Sequence, residues 1–232
     1  MAESVAIGQP AIPVTIRRMT RARRLTLRLD RVGGGATLTV PNGTGASLIA
    51  EFLGRHEDWL RRTSAGVPAR ISVSAGIRLP VEGTELTVAA GRRGPVRREG
   101  SHLVVPGAAP AIGPAAAAFL RVLARERLSD AVGRYCGELG VQCAKLTLRD
   151  PRSRWGSCTG AGNLMFSWRL AMAPPAVLRY VAAHEVGHLL EMNHSPAFWD
   201  IVSGLVDNPQ TPRLWLRREG ASLHRYVFSA TA

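Results

Sequence analysis

Residues Tyr180 to Trp199 read YVAAHEVGHLLEMNHSPAFW and gather three of the chain's six histidines into eleven positions, with a glutamate directly after the first. His184 and His188 are four residues apart. On a helix that spacing sets two imidazoles on adjacent turns of one face, Cβ atoms ~6 Å apart, from which both reach one ion at metal–nitrogen distances of ~2 Å. Glu185 projects toward the same side without entering the ligand set. The pattern is His-Glu-x-x-His, in which an ion makes a hydroxide-like nucleophile of water and the glutamate takes its proton. A catalytic zinc takes three protein ligands and keeps a fourth position for solvent. Glu191 lies on the same helix, two turns from His184, and would make the donors collinear. His194 is the expected third ligand: Asn193 tolerates the left-handed conformation that ends a helix, and Ser195-Pro196 caps and opens the next one. The expectation is one Zn2+ per chain held by His184, His188 and His194, with Glu185 as general base. Any one of these histidines alone would read as an ordinary packed residue; the set does not.

The elements that must position them follow from periodicity. The metal helix is expected from about Pro174 to Met192, its apolar stripe of Val177 and Val181 continuing into His184 and His188. Before it, PRSRWGSCTGAG is a turn-rich loop feeding a strand in which Leu164, Phe166, Trp168 and Leu170 alternate with Met165, Ser167 and Arg169. A long helix is expected from Pro114, in its first turn, to about Leu139, followed at Gly140 by the short strand AKLTLRD. The N-terminal part reads as sheet: IPVTIRR, RLTLRLD and ATLTVP alternate apolar and polar residues, with a turn at Gly33-Gly34-Gly35. SLIAEFLGRHEDWLRR reads as one helix with Leu48, Phe52 or Leu53, His56, Trp59 and Leu60 on its apolar side. Further short strands follow, and GAAPAIGP marks the seam. The fold class is α+β, with a β-rich region at 1–108 holding one helix, and at 109–232 a domain whose active-site helix packs under a small sheet.

With 46% apolar residues in 232, a sizeable core is available. No window approaches a membrane span, the opening residues do not look like a secretory signal, and a cytoplasmic protein is expected. Cys136, Cys143 and Cys158 are an odd set without Cys-x-x-Cys spacing, read as reduced thiols. The charge is unusual: 30 basic against 17 acidic residues give +13, and every basic residue but Lys145 is arginine. Arg17, Arg18, Arg21, Arg23, Arg24, Arg28 and Arg31 with Thr26 form a basic stripe, read first as a solvated strand face and second as a surface for nucleic acid, because no aromatic residues are interleaved for base stacking.

From Arg152 onward the chain resembles the YgjP-like metallopeptidase family, relatives of the SprT-like zinc proteases. SRWGSC (153–158), WRLAMAPP (168–175), HEVGHLLEMNHSPAFW (184–199) and LHRY (223–226) carry the likeness, and weaker similarity through RRLTLRLD and EFLGRHEDWL extends it over most of the N-terminal half. A departure is Gly187, where alanine is usual, which costs ~1 kcal/mol of helix propensity. The resemblance implies a zincin-like C-terminal half hydrolysing peptide bonds, with His184, His188 and His194 on zinc and Glu185 as base. It also implies that the strand before the metal helix, NLMFSWRL, binds extended or unfolded polypeptide along a free edge, engaging Met165, Phe166 and Ser167. Trp155, Gly156 and Ser157 are expected to form a turn close to the site or a packing turn below the sheet, and Cys158 is an inert thiol in preference to an inhibitory thiolate. Peptide hydrolysis needs an oxyanion donor. His224, Tyr226, Tyr180, Arg169 and Arg154 are the candidates, with His224 placed first. The rival reading is a basic nucleic-acid-associated module with a structural metal, and a protease acting on DNA-bound protein would combine the two.

Overall fold

The computed structural model describes residues 3–30, 32–67 and 69–229, so that Arg31 of the basic stripe lies outside the described residues. The chain packs as two compact units, Met1–Arg70 and Ile71–Ala232.

In the first unit β1 (Glu3–Ile7), β2 (Ile12–Met19), β3 (Thr26–Leu29) and β4 (Ala36–Pro41) form a sheet in the order β1-β2-β4-β3, with β2 and β4 parallel. Alternation decides its faces: Val14, Ile16, Leu38 and Val40 are buried, with Ile49, Leu53 and Leu60 of α1 (Ala46–Arg55) and α2 (Glu57–Ser64) in the same core. The turn between β3 and β4 uses Gly33 and Gly34 at φ +87° and +65°, where a side chain would be strained. The single helix expected over 47–62 is two. His56 interrupts it at φ −106°, ψ 4°, with Nδ1 bonded to the Phe52 carbonyl at 2.8 Å. Glu57 and Asp58 then start a new helix at a terminus that favours acidic residues. Leu48 and Trp59 face outward, 47% and 40% exposed, and Ile49 takes the core position in α1 instead.

The second unit begins at β5 (Ile71–Ser72) and continues through β6 (Arg78–Val81), β7 (Thr84–Gly91), β8 (Arg97–Glu99) and β9 (His102–Pro106), the last four in the order β6-β7-β9-β8. Next comes α3 (Ala109–Leu139), which starts a turn before Pro114 and carries that proline inside. Leu79, Leu86, Val88, Leu103 and Val105 share one core with Ile112, Leu120 and Leu128 of α3. The seam expected at 108/109 would cut through this core, and the boundary falls at Arg70/Ile71 instead.

β10 (Lys145–Arg149), β11 (Gly156–Cys158) and β12 (Asn163–Ser167) form a three-stranded sheet in the order β10-β12-β11. The strand pattern expected to run on to Leu170 stops at Ser167. Residues Trp168–Met172 form a 3-10 helix with all five side chains buried, so alternation no longer applies. The unit closes with α4 (Pro175–Gly187), α5 (Pro196–Leu205), α6 (Gln210–Arg218), a 3-10 helix at Gly220–Arg225, and β13 (Tyr226–Val227), which pairs with β5 in parallel. The architecture is mixed α and β, with α4 packed against α3, α5, α6 and β11.

Candidate metal centre

The metal helix α4 begins at Pro175, whose ring fits the first turn, and ends at Gly187 rather than Met192. His188 is its C-cap, at φ −67°, ψ −12°. The Gly187 carbonyl accepts from both Leu190 and Glu191, at 3.1 and 3.0 Å, which closes the helix one turn early. Gly187 is thus the last helical residue, where its low propensity costs least. The chain then returns without a left-handed asparagine: among the described residues Glu82 is the only non-glycine at positive φ. Instead Asn193 Oδ1 accepts from the Ser195 N–H at 2.8 Å, and its Nδ2 donates to Glu191 Oε1 at 2.6 Å. Ser195 caps α5 by accepting from the Phe198 N–H at 3.3 Å.

This loop brings His194 back to the helix. The rings of His184, His188 and His194 stand at centroid separations of 4.8, 4.8 and 5.0 Å, and their ligand atoms lie within 4.8 Å of one another. His184 Nε2 and His194 Nε2 are 3.1 Å apart. Two nitrogens on one tetrahedral ion at zinc distances would be about 3.3 Å apart. His188 Nδ1 is 2.9 Å from the Glu191 carbonyl, which can only accept, so the ring proton sits on Nδ1 and the Nε2 lone pair is left for an ion. Burial, then the neighbouring histidines, pushes His184 down to about 4, and burial lowers His194 as well. Neutral imidazoles are the form that ligates. His184 Nδ1 is buried with no hydrogen-bond partner. An all-nitrogen trio of this kind fits a zinc ion.

Phe198 supports the trio from below. It is fully buried, its ring 4.4 Å from that of His188 and 4.9 Å from those of His184 and His194.

Glu185 is 6% exposed, and burial pushes its carboxyl up to about 7 against the pull of Arg154 and a hydrogen bond from the Cys158 N–H. Gly156 of β11 lies directly against it. A Cβ there would stand 2.5 Å from Glu185 Oε1 and 2.6 Å from its Cγ. Where a turn was expected at Trp155–Ser157, strand β11 holds the carboxylate, by contact from Gly156 and by hydrogen bond from Cys158.

A family model described as the YgjP-like, metallopeptidase domain matches residues 23–219. The chain belongs to the YgjP-like family. Among solved structures it is similar to the metallopeptidase zymogen of Pyrococcus abyssi abylysin, with 17% identity, 40% of this chain and 95% of that chain covered, and a TM-score of 0.36. No curated protein matches it. Among the described residues of this YgjP-like chain, no helix is long and apolar enough to cross a membrane.

The remaining candidates of the YgjP-like site divide. NLMFSWRL has no free edge, since β12 is the central strand, paired with β10 on one side and β11 on the other. Phe166 and Ser167 are fully buried, and Met165 stands cross-strand from Ser157 on the face opposite Gly156 and Phe166. The three are therefore core and sheet-face residues and not a substrate edge. Arg169 is tied to structure: it forms a two-point ion pair with Asp150 at 2.7 and 3.0 Å and donates to the Leu223 and Tyr226 carbonyls at 2.8 and 3.1 Å. Those carbonyls flank His224, whose ring lies 5.2 Å from that of Trp155. Tyr226 is buried in β13, and Tyr180 is buried with its ring 6.1 Å from that of His184. Cys158 is a half-buried thiol with a pKa raised by burial, and the group that could hold a metal comprises the three histidines without it. Sequence reasoning missed Phe198 and the Gly156 contact. The Ser195 cap, which fixes Phe198 three residues on, was the available signal for the first; nothing local announces the second.

Proposed function

We propose that this chain is a zinc-dependent peptidase in which His184, His188 and His194 hold the ion and Glu185 is the general base. The observation that carries the reading is the convergence of the three imidazoles, with the residue that follows His184 a buried glutamate held by Gly156 and the Cys158 N–H. When bound, the zinc supplies Lewis acidity to water and to the peptide carbonyl. Glu185 takes the proton of the attacking water and delivers it to the leaving amine, and burial favours the protonated form it passes through. Phe198 and the His188–Glu191 contact keep the imidazoles oriented. His224 is the first candidate to face the oxyanion, placed against Trp155. The strand edge beside α4 is that of β11, an edge strand of its sheet, and an extended polypeptide is expected to add there. Metal content and casein cleavage of the wild type and Glu185→Gln test the reading. Equal zinc with chelator-sensitive cleavage in the wild type alone supports it, and glutamate-independent cleavage refutes it.

A second reading concerns the first unit. On the outer face of its sheet, Arg17, Thr39 and Thr26 form one cross-strand row, and Thr15, Thr37 and Arg28 the next. Arg21, Arg23 and Arg24 line an open groove of about 540 Å³ with Met19, Thr26 and Thr39. These rows hold guanidiniums and hydroxyls and neither acidic nor aromatic residues, a composition suited to the phosphates of a duplex more than to stacked bases. Five arginine–phosphate contacts give a slope of about −4.5 in log K against log salt, roughly a 500-fold loss between 50 and 200 mM. Anisotropy of the full chain with a labelled 20-base-pair duplex measures it. Binding that Arg21, Arg23 and Arg24→Glu together abolish supports contact, and absence of binding at 50 mM removes it.

A further inference from the structure

Arg213 of α6 had no place in the motif. It is exposed, and its guanidinium carbon lies 4.9 Å from the centroid of the Trp199 ring. That ring stands 5.8 Å from His194 and 5.9 Å from His184, and edge-on to Phe198 at 5.1 Å. Trp199 is thus part of the wall of the metal centre, and Arg213 is stacked on it. Among the described residues Arg213 has no ion-pair partner, whereas Arg127, Arg134 and Arg169 each have a carboxylate at 2.7 Å.

An exposed arginine without a carboxylate normally samples many rotamers, and stacking on an aromatic face restricts it. The fork is therefore held on the Trp199 ring, which stands against His184 and His194, with its donors uncommitted to any protein carboxylate. Trp199, and not Arg213, lies against the His184 and His194 rings, so the guanidinium sits one ring out from the histidine cluster.

We propose that Arg213, held on Trp199, binds a carboxylate of the substrate and so selects peptides carrying an acidic side chain or a chain terminus beside the cleaved bond. This rests on the peptidase reading above. Carboxylate is the complement that a planar guanidinium fork binds by two parallel hydrogen bonds. The carboxylate has two sources on a peptide, and the test separates them.

Fluorogenic peptides matched except for Glu against Gln at each position flanking the bond are compared with a pair ending in free acid or amide. The expected wild-type preference for the carboxylate is roughly 10- to 100-fold in kcat/KM, falling to about one in Arg213→Gln and to an intermediate value in Arg213→Lys. Preference confined to the acid/amide pair assigns the terminus; preference confined to Glu/Gln assigns the side chain. The same peptides are bound to zinc-loaded Glu185→Gln protein, with and without Arg213→Gln, so that affinity is read without turnover. Zinc content and thermal midpoint confirm that Arg213→Gln is folded and loaded. Cleavage of all peptides at equal kcat/KM, or a preference that survives Arg213→Gln, overturns the proposal and leaves the peptidase reading intact. If the wild type cleaves none, the peptidase reading fails, and equal affinity of Glu185→Gln for both members of each pair overturns the Arg213 proposal as well.

Discussion

Replacing Gly156 by alanine should inactivate the site without touching a metal ligand. The backbone of Gly156 is not in the left-handed region, so alanine is allowed conformationally, and the whole effect comes from the added methyl. That methyl would meet three atoms of Glu185 at 2.5, 2.6 and 2.8 Å. Ordinary carbon–oxygen and carbon–carbon contacts are about 3.5–4.0 Å, so the carboxylate must retreat by about 1 Å or β11 must lift from α4. Either movement separates Glu185 from the Cys158 N–H that anchors it. A misplacement of that size costs roughly 100-fold in rate, and overpacking costs about 1–3 kcal/mol of stability. The assay is kcat/KM on a fluorogenic peptide, with zinc measured by mass spectrometry and stability by urea denaturation. Expected are full zinc, a modest loss of stability and about a hundredfold loss of kcat/KM. Full activity in a folded, zinc-loaded Gly156→Ala protein would refute the assignment of β11 as the support of the base.

Three further outcomes are expected. His194→Ala leaves two ligands on one helix, and zinc affinity, measured by competition with a chromogenic chelator, falls by more than the 10- to 100-fold typical of an outer-shell change. Arg169→Met strands two buried carbonyls and removes the stacking on Trp168 and Phe228, costing about 3 kcal/mol in urea denaturation, while Arg127→Met, which breaks an exposed pair with Glu82, stays within about 1 kcal/mol. Tyr135 and Tyr226 are buried, and burial raises both phenols above their ordinary value of 10.0. A raised folded-state pKa means that the folded protein keeps protons the unfolded chain has lost, so stability is present below pH 10 and falls as pH rises through the folded values. The urea midpoint should drop above about pH 10, with tyrosinate absorbance appearing together with unfolding; gradual ionisation in the folded state would contradict it.

The three-histidine cluster was legible because its spacing is local. His184 and His188 are fixed by one helical turn, and His194 follows six residues later, so type and spacing alone pointed to convergence. The route by which His194 returns was not legible. A left-handed Asn193 and an Asn193 side chain bonding forward to Ser195 are both ordinary uses of asparagine, and sequence does not choose between them. The helix breaks at His56 and Gly187 were missed for a similar reason: a hydrogen bond to one carbonyl competes with propensity and wins by a small margin.

The misplaced substrate edge has a different cause. Alternation of Leu164 and Phe166 with Met165 specifies which side chains face the core, and that was correct for those residues. It carries no information about what lies beside the strand in the hydrogen-bonding direction. β10 and β11 occupy both sides of β12, so the outer strands of this sheet are β10 and β11. The same arrangement explains why the glycine of Trp-Gly-Ser-Cys is needed. β11 sits between the bulk of its sheet and the metal helix, so any side chain on its inner face at 156 would occupy the space of Glu185. The strand that gives its Cys158 N–H to Glu185 is also the strand whose residue 156 must leave room for that side chain, and the two properties come from one contact.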